Sequence, residues 1–549
     1  MKKLQKMCVM VATSATLPIA AMASTVAYWP LAGENGVWTK QGDVFQNSIS
    51  PGTMDAVSTV IRCRDGYVAP TSGVHTKDYP AGTNAFPAAY GVYDPVAKVN
   101  HTAATGLDFG RDSFVNNWNT SQSCCWIAGV LRVADPDALK LSTFTVEFFV
   151  KPDPSYKSRE QVVAAMPLEK MPSNFTSGKA SWSIGLDGNN RFYTTFAYAD
   201  GTSATTGTSD PVSLFDDRWH HIAITVSGTT AILFFDYRRV RTMTLAQNVN
   251  YAEDGDLYMG GTTHAKFSYA GSMAHFRVSD EALTGDKFLH FTRLVRAVDE
   301  PEDVALHLDF EPVEGLSTNK TVVFNRAATG SAVHLHTDDN YAYDNLAVYD
   351  EDVYTNKLYS SRKDSKGNDN TQSFSKTSTT AQYPYLSWFP GDDIFHDYSF
   401  TVEMFLKTSQ TGNYKPFLRR RTGTASNATV QLNFGTGSTA GKLNSGFNSF
   451  RVADNQVIND GTWHHLALVY DKTASKIRMF RDWGQVGSDK NVTSDVGTAS
   501  THPIVILGDP GDSSGSIAKL DEVRITKRAL GVKEFLTPER AQGLIFFVL

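Results

Sequence analysis

The stretch "DDRWHHIAITVSGTTAILFFDYRRV", beginning at Asp216, returns 244 residues later as "DGTWHHLALVYDKTASKIRMFRDWGQV", beginning at Asp460. Trp219 falls on Trp463, and His220-His221 on His464-His465. Two flanking segments repeat in the same order. "STFTVEFFVKP" from Ser142 matches "YSFTVEMFLKT" from Tyr398 at an offset of 256, placing Glu147 on Glu403. "GSMAHFRVSDEALTGDKFL" from Gly271 matches "GSIAKLDEVRITKRALGVKEFL" from Gly515, with Ala282-Leu283 on Ala529-Leu530 at an offset of 247. At the front of each copy, "AYWPLAG" from Ala27 stands 278 residues before "ALHLDFE" from Ala305, and "VFQNSISPG" the same distance before "VVFNRAATG". Offsets that drift while the order holds describe one unit duplicated, with loops that changed length. Units this long are domains in tandem rather than solenoid repeats.

Each copy reads as strand. Phe144, Val146 and Phe148 alternate with Thr145, Glu147 and Phe149, and Phe400, Val402 and Met404 repeat the pattern, giving the period of two expected of a sheet. Gly, Asn, Asp and Ser turns separate the short strands, and helical pattern is confined to one turn in "SDEALTGDKFL" and one in "TKRALGVKEFL". An all-β pair of sandwiches follows, residues 24–299 and 300–549, divided in the charged "AVDEPEDVA" segment.

The N-terminus, "MKKLQKMCVMVATSATLPIAAMAS", has the lysine start, apolar stretch and small-x-small Ala21-Met22-Ala23 of an export signal, so residues 1–23 are expected to be removed and the chain secreted or held at the cell surface. Removal takes away Lys2, Lys3 and Lys6 and makes the net charge of −6 three units more negative. An acidic balance with no concentrated basic face argues against nucleic acid. No later stretch has the length of a transmembrane helix. In an oxidising compartment Cys63 has Cys124 or Cys125 as a disulfide partner, with unpaired buried cysteines as the competing expectation.

The motif order FTVE-x-F, Trp-His-His strand, "FFD" or "FRD" hairpin, "LYMGG" from Leu257 and closing "HFRVSDEAL" or "EVRITKRAL" resembles the LamG-like jelly-roll family of the concanavalin A-like lectin and glucanase superfamily, in two tandem copies. The resemblance implies two jelly-roll β-sandwiches with binding or adhesion as their function, and glycans or extracellular and cell-surface proteins as partners. A structural spacer is the first alternative and a jelly-roll glycoside hydrolase the second.

Hydrolysis needs two carboxyl groups about 5–9 Å apart across the sugar. Related glucanases supply acids at i, i+2 and i+4 of one strand, and this pattern is missing. Glu147 and Glu403 are each isolated among apolar neighbours, as expected of a glutamate bonded to backbone at a strand end. There is no strand-turn-helix nucleophile elbow and no H-E-x-x-H helix. The chain is therefore expected to be no enzyme.

Adjacent residues of a strand point to opposite faces, so neither histidine pair can chelate one ion. His220 is expected with Ile222 and Ile224 on the core side, and His221 with Trp219 and Ala223 on the other. Trp219, His220, His221, Trp463, His464 and His465 then read as scaffold, with buried neutral imidazoles bonded to backbone carbonyls. Calcium, which several relatives bind at the sandwich rim, has candidate ligands in the acidic turns at Glu253, Asp254 and Asp256 and at Asp509 and Asp512. The hairpin tips carry Tyr237 after Asp236 and Trp483 after Asp482, where the family commonly has Asp-Gly. An aromatic side chain there is expected to be exposed and to stack on sugar. The competing expectation folds each ring back over its own sheet.

Overall fold

The computed structural model describes residues 25–537, with its largest gaps at 63–78, 82–89, 110–126, 168–179, 337–346, 355–369, 377–384, 494–502 and 509–515 and shorter gaps elsewhere. Residues 1–24 and the three later cysteines, Cys63, Cys124 and Cys125, lie outside the described residues.

Each copy is a sandwich of two antiparallel sheets. In the first, one sheet runs in the order Thr25–Trp29, Gly271–Ser279, Thr143–Pro152, His220–Ser227, Thr230–Phe235 and Arg238–Thr244. The facing sheet runs Ser203–Gly207, Phe192–Ala197, Ala180–Leu186, Gln161–Pro167, Leu257–Met259, Ile127–Val133, Ala56–Arg62 and Val44–Phe45. The second copy repeats the central order as Ala518–Thr526, Phe400–Lys407, Trp463–Asp471, Lys476–Arg481 and Gly484–Asn491, with Val304–Leu308 on the other side of Ala518–Thr526. Its facing sheet includes Tyr385–Trp388, Ile504–Ile506, Pro416–Arg421, Ala428–Asn433, Lys442–Phe447 and Phe450–Val457.

The alternation places the cores as expected. Phe144, Val146, Phe148 and Val150 meet Ile222, Ile224 and Val226 in the first interior, and Phe400, Val402, Met404 and Leu406 meet Leu466 and Leu468 in the second. Side chains of this size contribute about 1.5–3 kcal/mol each on full burial. The expected helical turns are single 3₁₀ turns at Gly285–Lys287 and Val532–Glu534. A short helix at Ile394–Asp397 has no counterpart in the sequence reading.

The first strand of each copy corrects the sequence alignment by one residue. Tyr28 pairs with Arg277 and His307 with Arg524, so the paired offset is 279 rather than 278. A bulge between Thr25 and Ala27, repeated between Val304 and Leu306, brings Ala27 opposite Val278 and Leu306 opposite Ile525. The offset is 278 again by the asparagines: Asn47 Oδ1 accepts from the Tyr28 N–H, and Asn325 Oδ1 from that of His307.

The first copy also carries a small sheet of His290–Arg293, Tyr90–Asp94 and Val99–His101. It continues the chain beyond the 3₁₀ turn and packs Val92 and Phe291 with Phe149 and Ala274, on the side of the His221 sheet turned away from the core.

Candidate functional site

The Trp-His-His strand leads into a hairpin whose two-residue loop is Asp236-Tyr237 in the first copy and Asp482-Trp483 in the second. All four residues have positive φ, at 46° and 65° and at 48° and 63°. This is the type I′ geometry that fits the twist of the flanking strands and that Asn-Gly or Asp-Gly adopts with least strain. Aromatic residues accept it here because their rings have somewhere to go. Tyr237 lies flat on His221, with centroids 4.5 Å apart and planes 6° apart, and Trp483 lies on His465 at 5.0 Å and 3°. The Tyr237 hydroxyl donates to the Leu289 carbonyl at 2.9 Å, and Trp483 Nε1 to that of Leu536 at 3.0 Å.

The expectation of exposed hairpin tips is thereby corrected. Tyr237 is buried and further covered by His290, at 4.8 Å between rings, while Trp483 is half-buried. Both rings fold back over their sheets because the histidine and the backbone carbonyl reward that position.

Parity places the histidines on opposite faces as expected, but their partners are carboxylates rather than carbonyls. His220 Nδ1 donates to Asp236 and Nε2 to Asp216, each at 2.9 Å. Two acceptors require two N–H groups, so this imidazole is an imidazolium. Burial alone would lower its pKa; the Asp236 charge and the hydrogen bonds of both aspartates outweigh that and raise it to about 9. His464 has the same arrangement with Asp482 at 2.9 Å and Asp460 at 3.2 Å, and its pKa is also raised against the desolvation of burial.

On the other face, His221 Nε2 donates to Glu147 Oε2 at 2.8 Å. The same oxygen accepts from the Leu289 N–H at 2.8 Å, while Arg277 Nε donates to Oε1 at 2.7 Å. In the second copy, Glu403 Oε2 accepts from His465 at 3.1 Å and from the Leu536 N–H at 2.7 Å, and Oε1 accepts from Arg524 Nε at 2.8 Å. The arginines reach on to the Lys287 and Glu534 carbonyls of the 3₁₀ turns, and Thr145 and Thr401 tie the residues just before those turns. Glu147 and Glu403 are thus mid-strand ion-pair centres, not strand-end groups bonded to backbone alone. Burial would raise each carboxyl's pKa, but the arginine and histidine hold both below the ordinary glutamate range. Chemically the arrangement is a clasp. It fixes the segment following the closing strand to the middle of the sheet.

Trp219 and Trp463 are buried beside these clasps. Of the acidic turns, Asp256 is described and accepts from Arg132 Nε at 2.6 Å and the Tyr258 hydroxyl at 3.3 Å. Glu253, Asp254, Asp509 and Asp512 lie outside the described residues. Among the described residues no group of three or more His, Cys, Asp or Glu is arranged to hold a metal ion. Nor, among them, is any helix long and apolar enough to cross a membrane.

A row of polar residues also lies on the side of each facing sheet turned away from the core, and it is largely buried: Ala165, Ser183 and Thr195 are closed to solvent, and Tyr258, Ser387, Val505 and Gln431 nearly so. On the outward face of the first copy's facing sheet, one cross-strand row reads Arg132, Tyr258, Ala165, Ser183, Thr195 and Thr205. The Thr195 and Thr205 hydroxyls are 2.9 Å apart. The second copy's row reads Ser387, Val505, Arg419, Gln431, Gly446 and Arg451. With its amide oriented to satisfy both groups, the Gln431 oxygen accepts from Arg451 Nη1 at 2.6 Å.

The family model Laminin_G_3, concanavalin A-like lectin/glucanases superfamily, matches residues 128–287 and 380–534, more than half of the chain. The chain belongs to this superfamily. The two matches fall on the two copies, and the jelly-roll sandwich is thereby the fold of both. Similar solved structures include domain 4 of AbnA, a GH43 extracellular arabinanase from Geobacillus stearothermophilus, in complex with arabinotriose, at 14% identity over 43% of this chain and 97% of that one, TM-score 0.30. The Ruminococcus gnavus IT-sialidase CBM40 bound to α2,6-sialyllactose shares 13% identity over 27% and 80%, TM-score 0.23. Mouse laminin α1 domains LG4-5 share 11% over 72% and 85%, TM-score 0.21. No curated protein matches the chain.

Membership in the concanavalin A-like superfamily states a fold and leaves open whether a member binds or cleaves. Within it, the clasp residues that motif reading passed over are Arg277 and Arg524, together with Asp216, Asp236, Asp460 and Asp482. They form three pairs inside the matched segments, at offsets of 244, 246 and 247, so charged residues repeated between the aligned blocks were the signal for them.

Proposed function

We propose that this is an exported, non-catalytic binding protein that takes glycans on the outward face of its second copy's facing sheet, with residues 1–23 removed and units at 24–299 and 300–549. The observation that carries the reading is the second copy's polar row, in which Arg419 and Arg451 are partly exposed on either side of the Gln431 amide. Guanidinium and amide groups on neighbouring strands, at fixed inter-strand spacing, give the directed hydrogen bonds that sugar hydroxyls need. The glutamates that recur in both copies are committed to their arginines and histidines, which speaks against their use as acid and nucleophile.

The test is a glycan-array screen of the mature protein with and without calcium. The expected result is binding that Arg419→Ala or Arg451→Ala weakens at least tenfold while Trp483→Ala, whose ring is held on His465, weakens it less. Absence of binding in both conditions would overturn the reading in favour of a structural surface protein. Cleavage of an arrayed glycan would do so in favour of a hydrolase.

A further inference from the structure

The segment between the copies, Val295 to Val304, is rich in charge and contains a proline, the composition of a solvated linker. Its contacts are those of a strap. Arg296 Nη1 donates to the Pro301 and Val304 carbonyls, the Ala297 N–H donates to the Arg326 carbonyl at 2.9 Å, and Asp303 accepts from Arg528 Nε at 2.8 Å. Glu300 turns inward and is buried, where Oε2 accepts from His307 Nδ1 at 2.8 Å and lies 3.3 Å from Arg326 Nε. His307 Nε2 stands 3.4 Å from Glu522 Oε1 on the closing strand of the second copy.

Beyond the strap, the second copy sends an apolar segment back onto the first. Leu316 is fully buried in one cluster with Tyr28, Phe149, Trp219 and Ala274, and makes a backbone bridge with Trp219. Val313 and Phe324 pack against the same cluster, Phe324 edge-on to Tyr90 at 4.8 Å.

From these contacts we infer that the two sandwiches form one rigid body, locked by the Leu316 contact and by a strap whose Glu300 is fastened onto the second copy through the buried His307, which also faces Glu522. This inference does not depend on what the protein binds. A lock of this kind opens with alkali. Burial alone would lower the His307 pKa, but its hydrogen bond to Glu300 and the nearby Glu522 carboxylate raise it from 6.5 to about 9. Of the other charged groups facing the site, Arg326 reaches the same Glu300 oxygen while pairing with Asp309 and Asp299, and Arg524 pairs with Glu403. A histidine whose pKa is raised on folding stabilises fully below its unfolded value, near 6.5, and ceases to do so as pH rises through about 9.

The experiment is small-angle X-ray scattering and limited trypsin digestion of the full mature chain at pH 7 and pH 10, with Leu316→Asp and His307→Gln alongside. The expected wild-type result at pH 7 is scattering fitted by a single conformer and at least tenfold slower cleavage after Arg296 than in either variant. At pH 10 the wild type should move toward the variants, and His307→Gln should no longer respond to pH between these values. Wild-type scattering at pH 7 that requires an ensemble of orientations would overturn the inference, as would rapid wild-type cleavage at Arg296; both readings stand even where a variant fails to fold.

Discussion

His220 is held from both sides, by Asp236 at Nδ1 and Asp216 at Nε2, and is closed off from solvent. A raised pKa of about 9 is a stability statement: the contribution is whole below pH 6.5 and is lost as pH rises through 9. The magnitude is of the order of 3 kcal/mol at neutral pH. His220→Gln should therefore remove most of that at pH 7 and flatten the loss of stability between pH 7 and 10, as read by chemical denaturation at several pH values. An unchanged pH profile would show that the imidazolium is not the group responsible. Asp521 titrates in the opposite sense to the clasp carboxylates. Burial, with Glu522 nearby, pushes its pKa well above the usual range, against the Asn370 amide and the Tyr354 N–H. A carboxyl kept neutral in this way penalises folding as pH climbs above its unfolded pKa. Asp521→Asn should accordingly raise the thermal midpoint at pH 7 and leave it nearly unchanged at pH 4.

At the scale of elements, the hairpin after each Trp-His-His strand is a compromise between backbone and ring. Positive φ at a bulky residue costs about 1 kcal/mol or more, and an aromatic stack returns about 0.5–1.5 kcal/mol beyond area burial. Tyr237→Gly relieves the strain but discards the stack on His221 and the hydroxyl bonded to Leu289, so a net loss of roughly 2–3 kcal/mol is expected in the first copy. Trp483→Gly, at a half-buried position, should cost less, and a thermal scan of the two variants would rank them. The alternation of Phe144 to Phe148 made this sheet legible in the sequence, because parity is a local property. The direction of the hairpin rings was not legible, since it depends on Leu289 and Leu536, which lie 52 and 53 residues further along the chain. The one-residue shift of the first strand escaped for a related reason: its register is set by the closing strand, which pairs Tyr28 with Arg277 and His307 with Arg524.

Across the whole molecule, duplication was plain from the sequence and what the duplicated residues do was not. Glu147 and Glu403 look alike as isolated acids, and their meaning lies in Arg277 and Arg524. Removing one partner of a buried ion pair strands the other charge, which costs about 3–5 kcal/mol. Glu147→Gln and Glu403→Gln should each approach that figure in equilibrium unfolding. The first should cost more, because Arg277 is wholly buried whereas Arg524 is slightly exposed, with Asp94, 2.9 Å from Arg277 Nη1, offsetting part of the difference. Equal costs, or costs below 1 kcal/mol, would show that water reaches both clasps.

The clasp also sets an order of events. Glu147 meets its arginine only after a further 130 residues of chain, and Glu403 after 121. Contacts of such long sequence separation close slowly. A chain emerging from its N-terminus would hold each central strand with an uncompensated carboxylate until the last strand of that copy arrived. Each sandwich would then stay open until nearly all of it had been made, and the first would be finished before synthesis of the second was far advanced.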